Sequence, residues 1–203
     1  MLNKIVNLLS NIISKDTDLN SKDKAYLYFG LQLYLILMVE TVILLLIAYF
    51  LNIFWPVLTA GLSFLIIRKY AGGVHLPTFN SCLIVTLVIF LGIGGLSTVI
   101  KINQIFLLVI ITIVSISGFI LINKYAPADT RTIPITDPEL RRIYKAKAKK
   151  ILTVWIFLSI AASLLFSDRL DLILSSSLGI FSQLLSTHPF FFHIIEKYLP
   201  EHN

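Results

Sequence analysis

Residues 31–51 read LQLYLILMVETVILLLIAYFL, an apolar run interrupted near its middle by a single carboxylate, Glu40. A bilayer's hydrocarbon core is about 30 Å thick and takes roughly 20 apolar residues in helical form, so this stretch reads as a membrane-spanning helix. Further apolar runs follow at Ile53 to Ile67, Cys82 to Ile100, Ile105 to Ile122, Ile151 to Phe166 and Leu170 to Leu185. Several hold roughly 15 to 19 residues, about 22–28 Å at 1.5 Å per residue, so their ends are expected within the membrane. The expected fold is an all-α polytopic membrane protein with about six transmembrane helices. Composition agrees, since 57% of the residues are hydrophobic and only 14% charged, with a mean hydropathy of +0.86. That is far more apolar than a soluble domain of this length needs to fill its core.

Ahead of the first run, Met1 to Ala25 is amphipathic, with Leu2, Ile5, Val6, Leu8, Leu9, Ile12 and Ile13 suited to one apolar helical face. It reads as an interfacial helix rather than a cleavable signal, which would need a basic tip, an apolar core and a small-residue cleavage site. The chain thus reads as one membrane domain over 1–203. It comprises an interfacial helix in 1–25, four spans in 31–122, a basic loop at 124–150, two spans in 151–185 and a tail at 186–203.

When the loops are assigned alternately to the two sides, fifteen of the seventeen lysines and arginines fall on one side. Only Lys101 and Arg169 fall on the other. By the positive-inside rule both termini and both long loops are expected in the cytoplasm, with the chain in the cell membrane. Membrane orientation therefore accounts for the net charge of +6, and no nucleic-acid role is indicated. In the 124–150 loop, Asp137 and Pro138 stand as N-cap and first helical residue of a basic helix carrying Arg141, Arg142, Lys145, Lys147, Lys149 and Lys150. Such a helix lies on anionic lipid or docks an acidic partner. In the tail, His188, His193 and His202 stand among aromatic residues and resemble an interfacial anchor more than a ligand set. Neither a metal site nor a cofactor is expected.

Chemistry concentrates between the second and third spans, in RKYAGGVHLPTFNSC, residues 68–82. The only cysteine, Cys82, meets a histidine, His75, seven positions earlier. Gly72-Gly73 and Pro77 interrupt a helix there and allow the chain to fold back. Thr78, Asn80 and Ser81 are each able to cap the helix that Cys82 opens. A helix N-terminus favours thiolate and offers amides to an oxyanion. A histidine in reach of such a thiol takes its proton, and the thiolate attacks a carbonyl. An inert, packed cysteine is the competing reading.

The Arg-Lys-Tyr-Ala-Gly-Gly-Val-His segment with Cys82, together with Lys124-Tyr125-Ala126-Pro127-Ala128-Asp129-Thr130 and Ile133-Pro134-Ile135, resembles the accessory gene regulator B family of membrane endopeptidases. The likeness runs from about Gly30 to Lys150. It implies a cysteine endopeptidase that removes the C-terminal tail of an autoinducing-peptide precursor and promotes its cyclisation, with His75 and Cys82 as the catalytic pair. Arg68 and Gly73 match further positions on which the family depends, and Asn80 and Ser81 are carried as supporting residues. The implied partner is a precursor with an amphipathic leader and an acidic tail, the tail being drawn to Arg131, Arg141, Arg142 and Lys145. Asp129 is a candidate partner for His75 if its loop folds over the pair. A homodimer is expected through small residues of the third span, Gly92, Gly94, Gly95 and Ser97. The alternative is a small transporter or channel built around Glu40, which lies about 14 Å along its helix from Leu31, where ionisable groups are costly.

Overall fold

A computed structural model describes residues 6–8, 10, 12–13, 20–74, 76, 78–128 and 135–198. The chain divides into two compact units, 1–46 and 47–203. In the first, the described residues before Asn20 are helical, with Val6 and Ser10 buried and Leu8, Ile12 and Ile13 exposed. Leu2, Ile5 and Leu9, expected on the same face, lie outside the described residues. The long helix α1, Ser21–Phe50, begins here and carries the Glu40 carboxylate, which is buried. Asn52 then turns the chain with a φ of 58°, a left-handed conformation that asparagine tolerates better than most side chains.

The second unit continues with α2 (Phe54–Ala71), α3 (Phe79–Val99), α4 (Gln104–Tyr125), α5 (Pro138–Leu165), α6 (Leu170–Leu185) and α7 (Pro189–Tyr198). All six apolar runs read from the sequence are helical. Among the described residues, four helices are long and apolar enough to cross a membrane: Tyr26–Phe50 within α1, α3, α4 and α5. A fifth arises if Ser167–Leu185 and Pro189–Ile195, bent by 70°, form one broken span. The expected count of six is therefore not reached on length and composition. The difference lies in α2, whose last turn carries Arg68 and Lys69, and in the short α6.

These two shorter helices form the centre of the unit. They meet where Gly179 of α6 lies against the Ala60 carbonyl of α2, a spot in which a Cβ would collide with backbone. Small residues permit such close helix approach where lipid supplies no hydrophobic drive between helices. The Ser63 and Ser176 hydroxyls lie 2.7 Å apart across the seam, and Trp155 Nε1 of α5 donates to Ser176 Oγ at 2.8 Å. Around them Ile67, Leu107, Ile111, Ile122, Leu152, Ile180 and Leu184 are almost wholly buried.

The third-span glycines divide between two environments. Gly94 is taken up inside the chain, its missing Cβ leaving room for Val57, and Ser97 is buried with its hydroxyl on the Ile93 carbonyl. Gly92 and Gly95 have no neighbour within 4 Å of an added Cβ, so only these two keep space for another molecule.

The basic segment and the fifth span, expected as two pieces, form one helix, α5, of 28 residues, about 42 Å long. Asp137 caps it by accepting from the Glu139 amide at 2.9 Å, with Pro138 in the first turn as the sequence predicts. Lysine and alanine are good helix formers, so the hydropathy boundary near Ile151 does not interrupt the backbone.

Candidate functional site

The cytoplasmic ends expected for α2, α4 and α6 converge on the Gly72–Val74 segment. Gly72 and Gly73 adopt φ values of 70° and 140°, a region that side chains disfavour. This conformation lets Gly73 donate its amide to the Ala128 carbonyl at 2.9 Å while the Ala128 amide donates to the Ala71 carbonyl at 2.8 Å. The two signature segments, far apart in sequence, are thus joined by an isolated parallel bridge between Gly72 and Ala128. On the other side the Val74 amide donates to the Ser186 carbonyl of the α6 C-terminus at 3.1 Å. A Cβ on Gly73 would lie 2.5 Å from Ser186 Oγ, and one on Gly72 would strike the Ala128 carbonyl.

Arg68 binds this segment together. Its Nη2 donates to the Val74 carbonyl at 2.8 Å, its Nη1 donates to Gln183 Oε1 at 3.1 Å, and its guanidinium lies 5.4 Å from the centre of the Phe64 ring. Gln183 is fully buried, and its Nε2 donates to the Gly72 carbonyl. Burial holds the guanidinium below the usual arginine range, while its Coulombic interaction with Cys82 acts the other way. Arg68 is therefore within electrostatic reach of Cys82.

Cys82 is partly buried in the first turn of α3. Of the three capping candidates, Thr78 is the cap: its Oγ1 accepts from the Ser81 amide at 3.2 Å and its carbonyl accepts from the Cys82 amide at 3.0 Å. The Ser81 hydroxyl bonds back to the Thr78 carbonyl at 2.9 Å, whereas Asn80 is exposed. Ser81 thus supports the cap, and the two amides that Thr78 engages are not open donors for an oxyanion. His75, Asp129 and Arg131 lie outside the described residues.

The basic residues proposed for an acidic tail separate by role. Arg141 spends its guanidinium on two backbone carbonyls, those of Pro127 at 3.1 Å and Ile135 at 3.2 Å. Lys145 donates to the Asn123 carbonyl near the end of α4 at 3.0 Å. Arg142 is exposed, with Glu139 at 3.9 Å. Lys147 and Lys69 both lie near the Tyr70 ring, at 5.4 and 5.5 Å. Arg141 also borders a shallow pocket of about 210 Å³ lined by Tyr125, Pro127, Ala128, Thr187 and Phe192. Beside it, His188 turns inward: its Nδ1 accepts from the Phe190 amide at 3.2 Å and its Nε2 lies 3.3 Å from the Tyr125 hydroxyl. An acceptor Nδ1 places the proton of a neutral ring on Nε2, which donates to the tyrosine.

Comparison with known proteins matches residues 3–187 to the accessory gene regulator B family. The chain belongs to this family. An AgrB-like protein of Clostridium perfringens (strain SM101 / Type A) is 25% identical over 173 residues, 82% of this chain and 79% of its own. One from Listeria monocytogenes serotype 4b (strain CLIP80459) is 28% identical over 190 residues, 92% and 87% of the two chains. The accessory gene regulator protein B of Staphylococcus aureus (strain MW2) reaches 38% identity over 89 residues, 44% of this chain and 46% of its own. No solved structure matches. As an accessory gene regulator B protein with several membrane-spanning helices, the chain is a multi-pass membrane protein of the quorum-sensing system from which the family takes its name. The match extends through α6, well beyond the two motifs in which the sequence carries its resemblance. Gln183 and Ser186 lie in that extension and were not legible as site residues. A lone carboxamide among the serines of an otherwise apolar helix was the only available signal.

Proposed function

We propose that this accessory gene regulator B protein is a membrane cysteine endopeptidase that cleaves an autoinducing-peptide precursor between its cyclising core and its acidic tail. The observation carrying this reading is the placement of the Arg68 guanidinium, bonded to the residue that precedes His75 and within electrostatic reach of Cys82. An inert packing cysteine has no need of a neighbouring cation; a nucleophilic thiolate is stabilised by one.

In the proposed reaction the Cys82 thiolate attacks the carbonyl at the end of the core and forms a C–S bond. The peptide C–N bond breaks, and the proton that His75 took from the thiol passes to the departing tail amine. The core is left on Cys82 as a thioester. A thiol or hydroxyl of the core then attacks the same carbonyl, gives its proton to His75, and displaces Cys82 as thiolate. Exchange of one thioester for another is nearly energy-neutral, so a thiolactone closes without another energy source while water is kept from the acyl group. Asp129, next in sequence to the bridged Ala128, is proposed to orient His75.

The acidic tail is assigned to Arg131 and to the exposed Arg142, while Arg141 and Lys145 shape the loop that borders the pocket. The test is cleavage of a precursor peptide by the reconstituted full chain. Wild type should release the tail, and Cys82→Ala and His75→Ala should reduce release at least about a hundredfold, within the range of losses of a nucleophile or general base. Release by either variant at the wild-type rate would end the reading.

A further inference from the structure

In an apolar helix a leucine fills the space of Gln183 without any polar group to satisfy, whereas a buried carboxamide is tolerated only with its hydrogen bonds made. Gln183 is fully buried and both ends of its amide are engaged on the candidate site: Oε1 accepts from Arg68 and Nε2 donates to the Gly72 carbonyl. One turn further, the Ser186 carbonyl accepts from the Val74 amide, and Ser186 Oγ bonds back to the Gln183 carbonyl at 2.7 Å. Arg68 therefore has one arm on α6 and the other on the Val74 carbonyl. Rotation of that guanidinium out of this position would break both contacts.

We propose that Gln183 is a positioning residue of the reaction centre: its carboxamide holds the Arg68 guanidinium toward Cys82 and pins the Gly72–Val74 backbone that leads to His75. The C-terminal end of α6 is then part of the site and not only a span. The use made of the thiolate rests on the proposed function; the positioning itself can be measured without any precursor.

Because Cys82 is the only cysteine, alkylation by iodoacetamide followed against pH reports one thiol in the full chain reconstituted in lipid nanodiscs. The comparison is between wild type, Gln183→Met, Arg68→Met and the double variant. A cation near a thiol lowers its midpoint by about one pH unit or more. Gln183→Met is expected to raise the midpoint by about one unit, slowing alkylation at neutral pH about tenfold. Arg68→Met should do the same, and the double variant no more than either. A midpoint left in place by Gln183→Met, or two additive shifts, would overturn the proposal, because a residue acting only through Arg68 has no effect once Arg68 is gone. If Gln183→Met does not fold, Gln183→Asn replaces it, its shorter amide being unable to span both partners, with the same rise expected and the same contradiction if there is none. Precursor cleavage by wild type is scored separately. Cleavage with an unmoved midpoint would overturn the positioning role alone, and a moved midpoint without cleavage would count against the proposed function alone.

Discussion

Gly73 shows how strictly one position can be constrained by three neighbours. Its φ of 140° is disfavoured for any side chain, and an added Cβ would lie 2.5 Å from Ser186 Oγ, 3.2 Å from Gln183 Nε2 and 3.3 Å from Arg68 Nη1. Gly73→Ala is expected to destabilise the fold by about 1–3 kcal/mol, as strained backbone positions do, and to lower precursor cleavage at least tenfold because the displaced side chains include Arg68 and its partner Gln183. A thermal melt alongside a cleavage assay checks both; unchanged cleavage would show that the loop relaxes without disturbing the site. From the sequence, Gly72-Gly73 was legible as a break in a helix. Which partner each glycine approaches was not, because Ala128 and Ser186 come from distant parts of the chain. Thr78 was one of three capping candidates, and choosing among them requires the extended backbone, φ −120° and ψ 148°, that only Thr78 adopts as the cap.

Among the elements, α5 was the more legible and α6 the less. Asp137 and Pro138 announce the start of α5 by local chemistry alone, and the structure places the cap there. Its continuity into the span was hidden because a change in hydropathy looks like a boundary even where helix propensity does not fall. In α6 the polar positions Ser176 and Gln183 look like weak points of an apolar run, yet they bond to α2, α5 and the glycine loop. On α5 the structure separates cations that the sequence could only group. Arg142→Glu is expected to leave thermal stability unchanged, since exposed ion pairs contribute little, and to slow processing of an acidic-tailed precursor several-fold at low salt, less at high salt. Arg141→Glu should lower thermal stability, because two carbonyls lose their donor. Equal kinetics for Arg142→Glu and wild type at every salt concentration would remove the tail-docking role.

At the scale of the whole molecule, the all-helical, multi-pass character was legible from hydropathy, because the bilayer imposes on every span the same apolar length. The span count was not. α2 and α6 are short, carry polar residues and are the most intimately paired helices of their unit, so burial against protein replaces part of the lipid-facing apolar surface. The charge bias leads to a specific topology. In a Cys82→Ser background, single cysteines at Asn52 and Lys101 should react with an impermeant maleimide added outside the cell, and cysteines at Lys124 and Arg142 only after permeabilisation. Labelling of the Asn52 and Lys101 positions from opposite sides would contradict the positive-inside assignment and, since α3 is long and apolar enough to cross, require α2 to re-enter without crossing.

The most direct test of the account is capture of the acyl-enzyme. A precursor whose ring-closing nucleophile is replaced by alanine is incubated with the reconstituted full chain, and the intact mass of the protein is read before and after neutral hydroxylamine. The account predicts a mass increase equal to the acylated core, located on Cys82, absent in Cys82→Ala and removed by hydroxylamine as a thioester is. Release of the acidic tail with no such adduct, or its release by Cys82→Ala, would contradict it.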